Sequence, residues 1–230
     1  VLFDYGNTLI EFTEPQIGRC DRALREALED HFGPADHDRL VEIRNRDRRA
    51  PYFGEFHENS IPDITSNLVR ELFGQEPEPH VLEALLEVRF TSFVESIDAE
   101  PHVGPLLARL GERYRLGLIS NYSDGEAVRA SLQRVGLAEH FDAIVVSGDV
   151  GRVKPHPLPF QRTLEQLGVE PGEAVYVGDN WLGDIQGAKR LGMQAVLTRQ
   201  WDTPEKFDRE DGHHEPDLVI DHLDALLDVL

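Results

Sequence analysis

The sequence predicts an α/β fold: a three-layer core built on a parallel sheet, with an all-helical segment inserted into it. From about residue 100 onward, short apolar runs alternate with helical stretches, which implies parallel strands covered by helices on both faces. Residues 14–98 instead repeat apolar side chains at intervals of three and four, with poor strand signals. Val1-Leu2-Phe3 reads as a short buried strand, so the helical segment follows the first strand. The expected division is a core domain of 1–13 and 99–230 and a helical domain of 14–98.

Taken in order, the first strand ends at Asp4. Gly6 and Asn7 then supply a tight turn, because both tolerate positive φ. A carboxylate at the carboxyl end of a strand sits where open α/β sheets place their chemistry. In the helical segment, Ile17, Cys20, Ala23, Leu24, Ala27 and Leu28 form one apolar stripe, and breaks are expected at Gly33-Pro34, Pro51, Pro62 and Pro77 to Pro79. Further strands are expected at Leu116–Ile119, Ala143–Val146, Ala174–Val177 and Ala195–Leu197, with an edge strand at Leu218–Ile220. Helices are expected at Glu126–Val135, Leu158–Leu167, Ile185–Leu191 and Leu223–Leu230. Residues 202–216, rich in Asp, Glu and His, read as a solvated loop, and His213-His214 within it receives no role.

The 230 residues carry 23 basic and 43 acidic side chains, so the formal charge is 23 − 43 = −20. That balance argues against nucleic acid or an anionic membrane as partner, since both require a basic surface. An anionic substrate can bind only where a metal ion or a local cation reverses the field. Lysines are few, at 154, 189 and 206. Cys20 is the sole cysteine, so neither an intramolecular disulfide nor a cysteine zinc cluster is available, and a reducing cytoplasm is the expected setting. No apolar run approaches the roughly 18 residues of a membrane helix. The chain does not begin with Met, so a few residues are expected ahead of Val1.

Each core strand end offers a reactive group. The first gives Asp4 and Thr8; the Leu116–Ile119 strand runs into Ser120-Asn121; after Val146 come Ser147-Gly148-Asp149 and then Lys154-Pro155; the Ala174–Val177 strand leads to Gly178-Asp179, with Asp184 five residues on. Singly these have plain readings. Ser120-Asn121 could cap a helix, Lys154 could be a solvated surface lysine, and Asp184 could cap the helix beginning at Ile185. Together the series is far rarer. It resembles the haloacid dehalogenase superfamily, in the subgroup with a helical cap inserted between the first and second motifs. The matching stretches are Phe3-Asp4-Tyr5-Gly6-Asn7-Thr8, Ile119-Ser120-Asn121, Lys154-Pro155-His156-Pro157 and Val177-Gly178-Asp179-Asn180-Trp181-Leu182-Gly183-Asp184.

The resemblance implies a Rossmann-like core and a magnesium-dependent phosphatase acting on a small phosphorylated metabolite, as a monomer or homodimer. Asp4 would be the nucleophile, giving an aspartyl-phosphate. Asp4, the Gly6 carbonyl and Asp179 would hold Mg²⁺, with Asp184 as a ligand or just behind one. Ser120, the Asn121 amide and Lys154 would bind the transferring phosphoryl oxygens, and Thr8 would orient Asp4. One position departs from the family's phosphatases, which carry a second Asp two residues after the nucleophile, where this chain has Gly6. That Asp would act as general acid, a contribution of about 10²–10⁴ in rate. Its absence has three readings: a good leaving group, a proton from a cap residue such as His57, or a weak or inactive relative. A haloacid dehalogenase also lacks the second Asp, but generally lacks the acidic Gly-Asp too, which is intact here at Gly178-Asp179. A ligand-binding protein without turnover is the third alternative. In the cap, Arg44, Arg46, Arg48 and Arg49 precede Pro51-Tyr52-Phe53-Gly54; they are expected to pair with nearby acids, the other use being to meet a substrate's polar end. Trp181 is expected to pack against the cap.

Overall fold

Alternation within each strand sends neighbouring side chains to opposite faces, and that period sorts the core into layers. The computed structural model describes residues 1–201 and 214–230. Six parallel strands, β1 Leu2–Phe3, β2 Gly117–Ser120, β3 Ala143–Val146, β4 Val175–Gly178, β5 Gln194–Thr198 and β6 Leu218–Ile220, lie in the order β3-β2-β1-β4-β5-β6. Phe3, Leu118, Val177 and Val196 point into one apolar cluster; Leu2, Ile119, Tyr176 and Ala195 point into another.

The helical insert follows β1: α1 Glu14–Phe32, α2 His37–Phe53, α3 Ile61–Phe73 and α4 Pro79–Ser96. After it come α5 Val103–Gly111, α6 Gly125–Arg134, α7 Ser147–Val150, α8 Pro157–Leu167, α9 Gly187–Arg190 and α10 Leu226–Val229. Helices α5, α6 and α10 cover the first face of the sheet, while α8 and α9 cover the second. The insert has an apolar cluster of its own, including Leu24, Leu28, Leu40, Ile43, Leu68 and Leu85. The end of α4 instead joins the core, through buried Phe93 stacked on Tyr122 at 4.1 Å. The chain leaves and re-enters the core side by side, since Ile10 bridges Ala99.

Several local expectations shift. Strands β2 and β4 extend one residue further than their apolar runs, because Ser120 and Gly178 still pair with Val146 and Leu197. Pro51 lies inside α2 near its end, where few hydrogen bonds remain to be lost, and Pro62 and Pro79 start helices in the first-turn position that suits proline. The stretch expected as one helix from Ile185 begins earlier, as a π-helical turn Trp181–Gln186 feeding α9. Its cap is Asn180, whose side chain accepts from the Gly183 N–H at 2.8 Å, so Asp184 does not serve as the cap. Of the two turn residues after Asp4, Asn7 alone takes positive φ, at 61°, and its side chain accepts from the Phe12 N–H at 2.8 Å. Trp181 lies in the core cluster with Phe160 and Ile185 rather than in that of the insert. Most of the loop expected at 202–216 lies outside the described residues, His213 included; His214 is described, bonded through its backbone to Gln186.

Gly117 lets β2 approach α8. A Cβ there would come within 2.7 Å of Thr163 Cγ2 and 3.1 Å of Leu167 Cδ1, both buried. Gly117→Ala is expected to destabilise the fold by about 1–3 kcal/mol through overpacking. Urea denaturation with an unchanged m-value checks this; a loss below about 0.5 kcal/mol would contradict it.

Candidate active site

In an open sheet of this order the crevice falls where connections leave in opposite directions, here between β1 and β4. Asp4 stands there, its backbone N–H donating to Val177 O at 2.9 Å, which extends the β1–β4 ladder by one bond. Thr8 Oγ1 lies 3.3 Å from Asp4 Oδ2, placing it to hold the carboxylate's orientation. Gly178 ends β4, and the carboxyl of Asp184 occupies the space its side chain would take: a Cβ would lie 2.3 Å from Asp184 Oδ2. Only glycine allows that approach. The Asn180 N–H fixes the same Oδ2 at 2.9 Å.

Lys154 links these elements. Its side chain is buried, and its Nζ lies 2.5 Å from Asp4 Oδ1, 2.7 Å from Asp184 Oδ1, 2.9 Å from Ile119 O and 2.7 Å from the Tyr176 hydroxyl. The Asp184 contact is close but poorly angled, so Oδ1 is left without a proper hydrogen bond. Burial disfavours the Lys154 charge, yet Asp184 and Asp4 outweigh it and hold the ammonium above the usual lysine range. Burial likewise raises the Asp184 carboxyl, with Asp4 adding to the rise and Lys154 opposing it. The Tyr176 phenol is driven well up by burial and then by the same two carboxylates.

Asp4, Asp179 and Asp184 bring carboxylate oxygens within 4.8 Å of one another. One ammonium cannot balance three carboxylates, two of them buried, and a set of hard oxygens suits a hard divalent cation. The under-bonded Asp184 Oδ1 is consistent with that fit. Gly6 lines the same cavity, as does Ser120, which is buried at the end of β2. The Asn121 side chain is occupied as a brace: its Oδ1 accepts from the Lys154 N–H at 2.8 Å and its Nδ2 donates to Lys154 O at 3.0 Å and to the Tyr52 hydroxyl at 3.2 Å. Of the two Asn121 amides, the backbone one is therefore the donor left to meet a ligand.

The cavity over these groups measures about 880 Å³ and lies between core and insert. His57 does not line it; this residue is exposed, with Nδ1 2.9 Å from Gly54 O. Its neighbour Glu58 does line it, accepting from Ser123 Oγ at 3.0 Å and from the Ser147 hydroxyl, while burial raises its carboxyl. Two of the cap arginines follow the ion-pair expectation: Arg44 meets Asp21 at 2.9 Å, and Arg46 meets Asp47 and Glu71. Arg48, which is exposed, has no ion-pair partner among the described residues and lines the cavity. Sequence reasoning did not single out Glu58, Arg89 and Trp201, which line the cavity, or Tyr176, whose hydroxyl meets Lys154 Nζ at 2.7 Å. Tyr176 reads as a core aromatic in an apolar run, and Arg89 as one more polar residue of a helix face; only the tertiary fold turns them inward.

The family description "Haloacid dehalogenase-like hydrolase" matches residues 1–198. A glyceraldehyde 3-phosphate phosphatase from Methanopyrus kandleri is 35% identical over 236 residues, spanning 100% of this chain and 96% of the relative. A ribulose-1,5-bisphosphate 5-phosphatase from Halopiger xanaduensis is 28% identical, spanning 100% and 98%. Among solved structures, a 2-haloacid dehalogenase from Pseudomonas syringae pv. Tomato superposes with a TM-score of 0.77 at 27% identity, covering 99% of this chain and 96% of that one. No helix among the described residues is long and apolar enough to cross a membrane. Because the match runs from Val1 to the end of β5, and so takes in all four strand-end motifs, the chain belongs to the haloacid dehalogenase-like hydrolase family.

Proposed function

We propose that this chain is a magnesium-dependent phosphatase of small phosphorylated metabolites, with Asp4 as nucleophile. The observation that carries the reading is the convergence of Asp4, Asp179 and Asp184 at the β1–β4 crevice beside a buried lysine. The named phosphatase relatives support it. The similarity to a dehalogenase fits the shared use of Asp4 as an ester-forming nucleophile, while the acidic Gly178-Asp179, which dehalogenases of this kind generally lack, favours phosphoryl transfer.

Asp4, the Gly6 carbonyl and Asp179 would hold the cation, with Asp184 within reach; when bound, it neutralises phosphoryl charge. Asp4 attacks phosphorus, a carboxylate O–P bond forms, and the bond to the leaving oxygen breaks. Lys154, 2.5 Å from Asp4 Oδ1, places a positive charge beside the incoming anion, and with Ser120 and the Asn121 backbone amide it stabilises the phosphoryl oxygens. Thr8 holds the angle of attack. Water then cleaves the acyl phosphate, releasing phosphate and restoring Asp4.

Position 6 offers no carboxyl to protonate the leaving oxygen, so weakly basic leaving groups are favoured. Aryl phosphates are expected to turn over with magnesium, faster than alkyl phosphates, and activity is expected to vanish with a chelator and return with the metal. Phosphate release measured on p-nitrophenyl phosphate and glycerol 3-phosphate checks this. Halide release from a 2-chloro acid under chelation, with no phosphate release, would replace the reading.

A further inference from the structure

Away from the cavity, the described residues hold one further cluster with metal-ligating chemistry, and it is built mainly on imidazole. His102, at the start of α5, and His222 and Asp224, in the turn between β6 and α10, bring one ligand atom each to within 4.8 Å of one another. None of the three lines the cavity over Asp4. The two rings lie 4.5 Å apart between centroids, so a half-buried histidine of one segment faces an exposed one of another. Two features of this cluster are unsatisfied by the chain alone. His102 Nε2 is buried and meets no hydrogen-bond partner among the described residues, a state that buried polar atoms rarely keep. His222 Nδ1 accepts from the Asp224 N–H at 3.3 Å, and so presents a lone pair. Yet the same Nδ1 lies 3.4 Å from Asp224 Oδ2, and a lone pair facing a carboxylate oxygen is repulsive unless a cation stands beside both. Ligands on a tetrahedral ion with bonds of about 2.0–2.1 Å stand roughly 3.3 Å apart. The His222–Asp224 pair already has that spacing.

We propose that His102, His222 and Asp224 form a second cation site, which takes zinc or a zinc-like transition metal and clamps the segment after β6 to the start of α5. Two imidazoles and one carboxylate, with water as a fourth ligand, suit such an ion, whereas magnesium prefers oxygen donors throughout. The clamped segment is short: β6 has three residues at the edge of the sheet, and α10 has four. A cross-link there adds most where the local fold has least to hold it. The site is independent of the phosphatase reading.

Zinc chloride, titrated calorimetrically into the metal-stripped chain in excess magnesium, reads the site, because magnesium competes for carboxylates far better than for imidazole. One zinc per chain is expected to bind here, and Asp179→Asn, which disrupts the carboxylate cluster at Asp4, is expected to leave it in place. His102→Gln and His222→Gln are each expected to weaken binding by about 100-fold or more, since even residues behind a ligand contribute roughly 10–100-fold. His222 and Asp224 are exposed, so His222→Gln and Asp224→Asn test the site without disturbing the core. Zinc is also expected to raise the thermal midpoint of the unsubstituted chain in a concentration-dependent way, and to leave that of His222→Gln unchanged. Absence of zinc binding in excess magnesium overturns the site, a proton on His222 then serving in the metal's place. Zinc binding that survives His222→Gln, or that is lost with Asp179→Asn, also overturns it. Bound zinc with no rise in midpoint overturns the clamp.

Discussion

Replacing Lys154 by methionine is expected to cost about 3–5 kcal/mol of stability without added divalent cation, and to abolish turnover. Methionine fills similar space, so the loss is electrostatic. Asp4 and Asp184 would remain buried with no counter-charge, and removing one partner of a buried ion pair is costly in this range. The pH dependence identifies the cause. Without the ammonium, the folded-state pKa of Asp184, already raised by burial, rises further above the unfolded value of 3.8. Folding then takes up a proton, so stability is retained at low pH and lost as pH rises through the folded pKa. The deficit relative to the unsubstituted chain should therefore widen between about pH 4 and 7. Denaturant titrations at several pH values check this. A deficit independent of pH would indicate lost packing instead.

Asp4→Asn is expected to lower turnover by about 10⁴-fold or more, the scale seen when a covalent nucleophile is removed. Stability should move the other way or not at all. The amide keeps the shape, still accepts from Lys154, and relieves one like-charge contact in a cluster whose oxygens lie within 4.8 Å. A thermal midpoint equal to or above that of the unsubstituted chain, together with lost phosphate release, is the expected pair of results. Retained turnover would remove Asp4 from the chemistry.

The fold and the strand-end residues were legible because both are short-range signals. An apolar run followed by a polar residue reports a strand end, and four such ends in sequence order report a parallel sheet with its reactive edge. Asp4, Ser120, Lys154 and Asp179 were all found in this way. The cap was harder, because a helix face says which side is buried but not against what. Arg44 and Arg48 sit four residues apart on α2; one pairs with Asp21 across to α1, and the other opens into the cavity. His57 and Glu58 are adjacent, and the choice of which one lines the cavity was made by the anchoring of Glu58 on Ser123 and Ser147, two residues far off in sequence. The π-helical turn at Trp181–Gln186 was invisible because it answers to a contact, the Asp184 carboxyl against Gly178, rather than to periodicity.

The bridge between Ile10 and Ala99 closes the intervening residues into a loop with fixed ends, tied to the core again by Tyr52, Glu58 and Phe93. Closing such a loop costs little more as it lengthens, growing only with the logarithm of its length. What lies between those two residues can thus be rebuilt, lengthened or exchanged while β1 and β2 stay paired. Any such replacement would still have to supply partners for Asn121, Ser123 and Tyr122, which the present segment meets through Tyr52, Glu58 and Phe93.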